Sequence, residues 1–157
     1  MAKGPFMEFL RAIVTQSAIN TFAEVQIPCP TSKTESMAML IHSIQLQPNN
    51  LVDTTPTNLD TVSVQLTKTS KTSIKFIHDP DIIAFYQALT SLNAVYNGVT
   101  FKGTEIQKFD PPILYPHANL YFGIYTVGLT NVEIGRCRIG YTLEKVSRED
   151  FISALVE

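Results

Sequence analysis

The chain has 157 residues, enough for one domain with a hydrophobic core of its own. Apolar residues make up 45% and charged residues only 17%, a composition suited to a chain that gives surface to contacts with other chains. Twelve basic against fourteen acidic residues leave a net charge of −2, which excludes a global field that would draw in nucleic acid.

The N-terminal stretch MAKGPFMEFLRAIVTQSAIN is interrupted by Glu8 and Arg11 and has no clean signal-peptide core. No run approaches the ~20 apolar residues of a membrane-crossing helix. A soluble intracellular product without a transmembrane segment is expected. Phe6, Phe9, Leu10, Ile13 and Val14 fit helical spacing, but the Val, Ile and Thr content fits a strand, and a strand is expected over residues 8–15. Phe22–Ile27 alternates and stops at Pro28 and Pro30. Met37–Gln47 is the next expected strand, apolar on both sides in its first half, and Pro48-Asn49-Asn50 turns the chain. Val62, Val64 and Leu66 alternate with Ser63 and Gln65. Thr67–Thr72 reads as a polar hairpin turn, with Ile74 and Phe76 on the return strand.

One internal helix is expected next. Asp79 suits an N-cap, Pro80 the first helical position and Asp81 the first turn. Ile82, Phe85, Tyr86 and Leu89 then fall on one helical stripe. Val99–Phe109 holds a further strand that Asp110-Pro111-Pro112 breaks. Two long apolar runs follow, Leu120–Leu129 and Val132–Val146, around a Thr130-Asn131 turn. The first is apolar on both faces, so either this chain or a neighbouring subunit covers its second face. Ser147 opens S-x-x-D, a variant capping box, ahead of a short C-terminal helix carrying Phe151, Ile152 and Leu155.

About eight strands with turns at intervals of roughly ten residues predict an all-β sandwich or barrel, with one inserted helix and one terminal helix. Catalytic signals are weak. His78-Asp79-Pro80-Asp81 is the most enzyme-like cluster, but Pro80 favours a helix start over a metal site. Cys29 and Cys137 fit neither a zinc pattern nor a CxxC motif, and there is no G-x-S-x-G or glycine-rich phosphate loop. Lys68, Lys71 and Lys75 surround one hairpin, and Arg136 and Arg138 share a strand face. These five are the candidate weak contacts to nucleic acid or a partner; the plainer account is a solvated hairpin and a pair that keeps a long strand soluble.

The path TFAEVQIPCP, MAMLIHSIQLQ, TVSVQLTKTSKTSIKFIHDPDIIAFYQ and IGRCRIGYTLEKVSREDFISAL resembles small viral major capsid proteins of the single jelly-roll type, such as those of uncultured prokaryotic viruses. The resemblance spans most of the chain and rests on element order rather than on a fingerprint. It implies a single jelly-roll domain over residues 1–157 that is a virion structural protein. Such a subunit would be made in the host cytoplasm and would assemble with copies of itself and with other virion proteins. It implies no enzymatic activity and no cofactor or metal. Contact with nucleic acid would be weak or indirect, because the basic arm of many small capsid proteins is missing. The candidate subunit interface is Leu120, Tyr121, Phe122, Tyr125, Phe151 and Leu155. The alternatives are a carbohydrate- or ligand-binding β-sandwich module, receptor-binding or tail-associated, and a cupin-like metalloprotein.

Overall fold

Alternation of apolar and polar side chains builds strands, and the strands of this chain pair almost entirely through distant, antiparallel partners. The computed structural model describes residues 6–48, 52–53, 61–75, 79–89, 99–100, 105–129 and 131–157. Ten strands and one helix follow in order: β1 (Glu8–Thr15), β2 (Ala23–Pro28), β3 (Met37–Pro48), β4 (Val52–Asp53), β5 (Thr61–Thr67), β6 (Ile82–Leu89), β7 (Val99–Thr100), β8 (Glu105–Tyr115), β9 (Asn119–Val127), β10 (Ile134–Lys145) and α1 (Arg148–Val156).

Eight of the strands form two four-stranded sheets, ordered β1-β10-β3-β8 and β2-β9-β5-β6, while β4 and β7 make a separate two-stranded ribbon. Successive strands of the sandwich alternate between the sheets except β5 and β6, which pair within the second, and the late strands β9 and β10 insert between the early ones. This is the order of a jelly roll. The core between the sheets is aliphatic and aromatic. Met39, Ile41, Ile44 and Leu46 of β3 and Ile139 of β10 meet Val62, Val64 and Leu66 of β5 and Leu120, Phe122 and Ile124 of β9.

Three expectations about local structure are corrected. The inserted helix is strand β6, which pairs along β5 from Val62↔Ala88 to Leu66↔Ala84. Its buried residue is Ala84, and Phe85 is only half-buried. Asp79 does not cap a helix; its Oδ1 accepts the Asp81 N–H at 2.9 Å in the turn before β6. The Asp110-Pro111-Pro112 break is absorbed inside β8. That strand is a sheet edge, and its register against β3 shifts between Ile41 and Ser43, so the prolines need donate nothing to the ladder. The return strand placed at Ile74 is also absent; Phe76 lies outside the described residues.

Residues 68–75 instead form a strap over the outer face of the second sheet. The Gln65 side chain, fully buried, holds it at both ends of its amide: Nε2 donates to Ser73 O at 3.1 Å, and Oε1 accepts from Lys75 N at 2.8 Å. Glu24 on β2 accepts from Ser70 Oγ at 2.5 Å and Lys71 N at 2.9 Å. Beside the strap, the Phe22 ring lies on Gly123, where a Cβ would come within 2.7 Å of it, so only glycine permits that cover. The C-terminal helix forms as expected. Ser147 caps it, accepting the Asp150 N–H at 3.1 Å, and Phe151 is its buried anchor.

Truncating Phe122 removes a fully buried ring from the sheet-to-sheet core, and Phe122→Ala should cost about 3–5 kcal/mol in urea denaturation. Gln65→Leu should cost less, about 1–3 kcal/mol, and should speed proteolytic clipping within residues 68–75 before the core unfolds. Equal protection of the strap in parent and variant would show that Gln65 does not hold it.

Candidate functional site

The outward face of the first sheet gathers charge and apolar surface on adjacent strands. On β1, Phe9, Arg11 and Ile13 point outward, opposite Gly140, Arg138 and Arg136 of β10. On the far side of β10, Gln45 and Gln47 of β3 pair with Arg138 and Arg136. Ile106 and Lys108 of β8 then pair with Gln45 and Ser43. Arg11 and Arg138 face each other directly, and like charges in that position repel. The Arg138 guanidinium carbon lies 3.9 Å above the Phe9 ring, a cation–π contact that orients it. Gly140 makes room for this arrangement: a Cβ there would come within 3.2 Å of the Phe9 ring and 3.3 Å of the Met7 sulfur.

Two depressions mark the face. One, of about 220 Å³, lies among Arg11, Ile13, Gln45, Gln47, Arg136 and Arg138. The other, of about 550 Å³, is lined by Met7, Phe9, Ile106, Lys108, Arg138 and one carboxylate, Asp110. Ile13 and Ile106 are 60% and 58% exposed, well beyond what a strand facing only water tends to carry.

The other sequence-singled residues are scattered or engaged. Leu120 and Phe122 lie at 0% exposure inside this chain, so neither is available to a second subunit; this corrects their place in the expected interface. Strand parity sends them inward and leaves Tyr121 and Tyr125 half-exposed on the outer face. Phe151 is buried under α1, and Leu155 is half-buried. The lysines belong to the strap, over the opposite sheet from the arginines. Lys71 bridges Asp79 at 3.3 Å and Asp81 at 2.7 Å. Its hydrogen bond to Asp81 raises the ammonium above its ordinary range, and Lys71 and Thr69 hold the Asp81 carboxyl below its own. Lys68 Nζ reaches the Glu157 carbonyl at 3.4 Å, and the Lys75 backbone is held by Gln65. In the sequence Arg11 reads only as an interruption of an apolar patch and Lys108 carries no signal; the alternation Phe9-x-Arg11-x-Ile13 is what marks Arg11 as outward-facing.

No described cluster of three or more His, Cys, Asp or Glu side chains is placed to hold a metal ion. His42 bonds Thr142 Oγ1 at 2.9 Å, His117 tilts against the Tyr115 ring at 5.1 Å, and His78 lies outside the described residues. Both cysteines are free, and burial pushes each thiol up to about 12, so they remain protonated packing groups.

One buried carboxyl stands apart. At one end of the sandwich the β1–β2 and β9–β10 connections are laced together. Gln16 N donates to Glu133 O at 3.0 Å, and Glu133 N donates to Gln16 Oε1 at 2.8 Å. Gln16 Nε2 donates to Thr21 O at 2.7 Å and Thr126 Oγ1 at 2.9 Å. Asn20, at φ 53°, bonds both the N–H and the carbonyl of Leu129 at 3.0 Å. Within this lacing the Glu133 carboxyl is fully buried, and neither oxygen has a hydrogen-bond partner among the described residues. Desolvation, opposed only by the nearby Ile134 N–H, pushes it up to about 7.

No family model matches the chain, and no curated protein matches it. Among solved structures, it is similar to a chain of tomato aspermy virus solved by X-ray crystallography. That match has 13% identity and a TM-score of 0.47, and covers 90% of this chain and 79% of that one. It is also similar to a chain of mud crab dicistrovirus from cryo-electron microscopy, at 12% identity and a TM-score of 0.31, covering 93% and 71% respectively. At TM-scores below 0.5 these likenesses carry no weight of their own; the strand order and the surfaces of the chain do.

Because the folded chain binds the Glu133 proton more tightly than an unfolded chain titrating near 4.5, this group stabilises the fold fully below pH 4.5. That contribution fades as pH rises through about 7. Urea midpoints should show this decline, and Glu133→Gln should flatten it. An unchanged pH profile in Glu133→Gln would assign the decline to another group.

Proposed function

We propose that this protein is a virion structural protein, a capsid subunit that associates with copies of itself into a symmetric shell and has no enzymatic role. The observation that carries the reading is the outward face of the first sheet, where Met7, Phe9, Ile13 and Ile106 stand exposed among four cations on a jelly-roll sandwich. Capsid, lectin and cupin domains share this architecture, so the fold does not choose between them. A cupin needs polar ligands inside its barrel; here the space between the sheets is filled by Met39, Ile44, Leu66, Phe122 and Ile139. That packing supports a structural role. A broad face rich in apolar side chains suits a partner surface better than it suits water. On this reading the protein resides in the virion after synthesis in the host cytoplasm, beside other virion proteins.

A ligand-binding module is the second reading. It is favoured by an uncharged groove of about 590 Å³ on the outer face of the second sheet, where Phe22 and Tyr125 stand beside Thr61, Ser63 and Gln87. Aromatic walls with hydroxyl and amide groups match a neutral saccharide.

Purified protein should form oligomers or closed particles by light scattering and negative-stain microscopy. A monodisperse monomer at high concentration, across salt and pH, would overturn the capsid reading. Saturable binding to a glycan array by such a monomer, lost in Tyr125→Ala, would establish the second reading in its place.

A further inference from the structure

From the charge and shape of two separate surfaces, we infer that the basic, apolar face of the first sheet is a socket for helix α1 of a second copy of this chain. The inference rests on the self-association reading above and names the contact.

The socket carries Arg11, Arg136, Arg138 and Lys108 with Asp110 as the one carboxylate lining it among the described residues, on a chain whose net charge is −2. Neither Arg11 nor Arg138 has a carboxylate partner among the described residues, although the two face each other across the β1–β10 ladder. An anionic group seated between them would relieve that repulsion. Apolar residues flank the cations, so the complementary surface must be acidic and apolar together.

Helix α1 has that character. Its inner side is anchored by Phe151, while Ile152 and Val156, one turn apart, are 50% and 81% exposed. Glu149 and Asp150 lie exposed in its first turn, its last turn has no basic residue, and Glu157 ends the chain. Ile152 and Val156 share a face with Glu149, three residues before Ile152, and with Arg148, four before it; Glu149, Asp150 and Glu157 outnumber that one cation. The dimensions agree. Nine helical residues extend about 13 Å at ~1.5 Å each, and the strand from Arg136 to Gly140 covers roughly the same length at ~3.4 Å per residue. The two depressions of the socket then accept Ile152 and Val156, with Glu149 against the arginines. The chain's own α1 packs near the Ile113–His117 end of β8, whereas Ile106 and Lys108 lie at the other end, so the occupant comes from another molecule. Two different patches meeting in this way make a head-to-tail contact, which closes into rings when the rotation permits.

Charge swapping tests the contact in the full chain. Arg138→Glu and Glu149→Arg should each raise the protein concentration needed for assembly at least about tenfold, measured by light scattering, with cooperative melting retained; Arg11→Glu serves as a second socket variant. The Arg138→Glu/Glu149→Arg double variant should assemble again. An equimolar mixture of the two single variants should also assemble, since each then offers the other a matched socket or helix. Assembly of both single variants at the parent's concentration would overturn the inference, as would failure of both rescues. If nuclease treatment disperses the parent's assemblies, the socket holds nucleic acid and the inference falls. A parent chain that never assembles would refute the capsid reading itself, whereas an assembling parent without rescue refutes only this contact.

Discussion

The burial of β5 on both faces is the constraint on which the rest of the molecule depends. The strand runs between β9 and β6, and every residue from Val62 to Thr67 is buried. Val62, Val64 and Leu66 face the other sheet, where burial of aliphatic surface drives association. Ser63, Gln65 and Thr67 face outward and are buried as well, so their polar atoms need partners inside the protein. The strap supplies them to Gln65 and Thr67, and Gln87 of β6 supplies one to Ser63. Gln65 binds the strap's backbone, Thr67 Oγ1 donates to Thr69 O at 2.8 Å, and Ser63 Oγ accepts from Gln87 Nε2 at 3.1 Å. The Lys71 bridges to Asp79 and Asp81 in turn pin the strap to the entrance of β6.

This cover makes the two outer faces unlike. Over the second sheet, residues 68–75 and Phe22 turn much of the outer surface into interior, held by the Gln65 amide, the Glu24 carboxylate and one ion-paired lysine. Over the first sheet, cations and apolar side chains alternate along β1 and across β10 and lie open. Arg138 is steered by the Phe9 ring that Gly140 admits. A face in which arginines oppose each other while isoleucines stand in water is the part of the surface that solvent alone satisfies least. That asymmetry, rather than any catalytic constellation, is the most distinctive chemical property of the molecule.

The end lacing adds a different element. Gln16, Asn20 and Thr126 satisfy the backbone of two connections that are remote in sequence, and they enclose the Glu133 carboxyl without bonding it. A neutral carboxylic acid is favoured there over a carboxylate. The junction of the two sheets therefore carries a dependence on pH that the ladders themselves lack.

Much of the architecture was legible in the sequence because strand periodicity is local. The Val, Ile and Thr content of residues 8–15, the alternation over 62–66, the apolar run at 132–146 and the Ser147 cap each report their own element, and β1, β5, β10 and α1 follow. Where two periodicities coincide, local pattern fails. Ile82, Phe85, Tyr86 and Leu89 satisfy a helical stripe, yet β5 presents an unpaired edge that only a strand can fill, so β6 forms. Likewise, Asp110-Pro111-Pro112 breaks an isolated strand but not an edge strand whose partner shifts register. Two-sided apolarity in β9 announced a second cover without saying what it was; the strap and Phe22 provide part of it, and strand parity turns Leu120 and Phe122 inward. Arg11 looked like an interruption in an apolar patch, because its meeting with Arg138 exists only through the β1–β10 register. The sequence by itself determined most of the strands with a buried side, though not β6, and the capped helix over Arg148–Val156. Only the tertiary structure decided which faces are covered and which side chains meet, because those follow from pairing between residues far apart along the chain, and local periodicity holds no record of it.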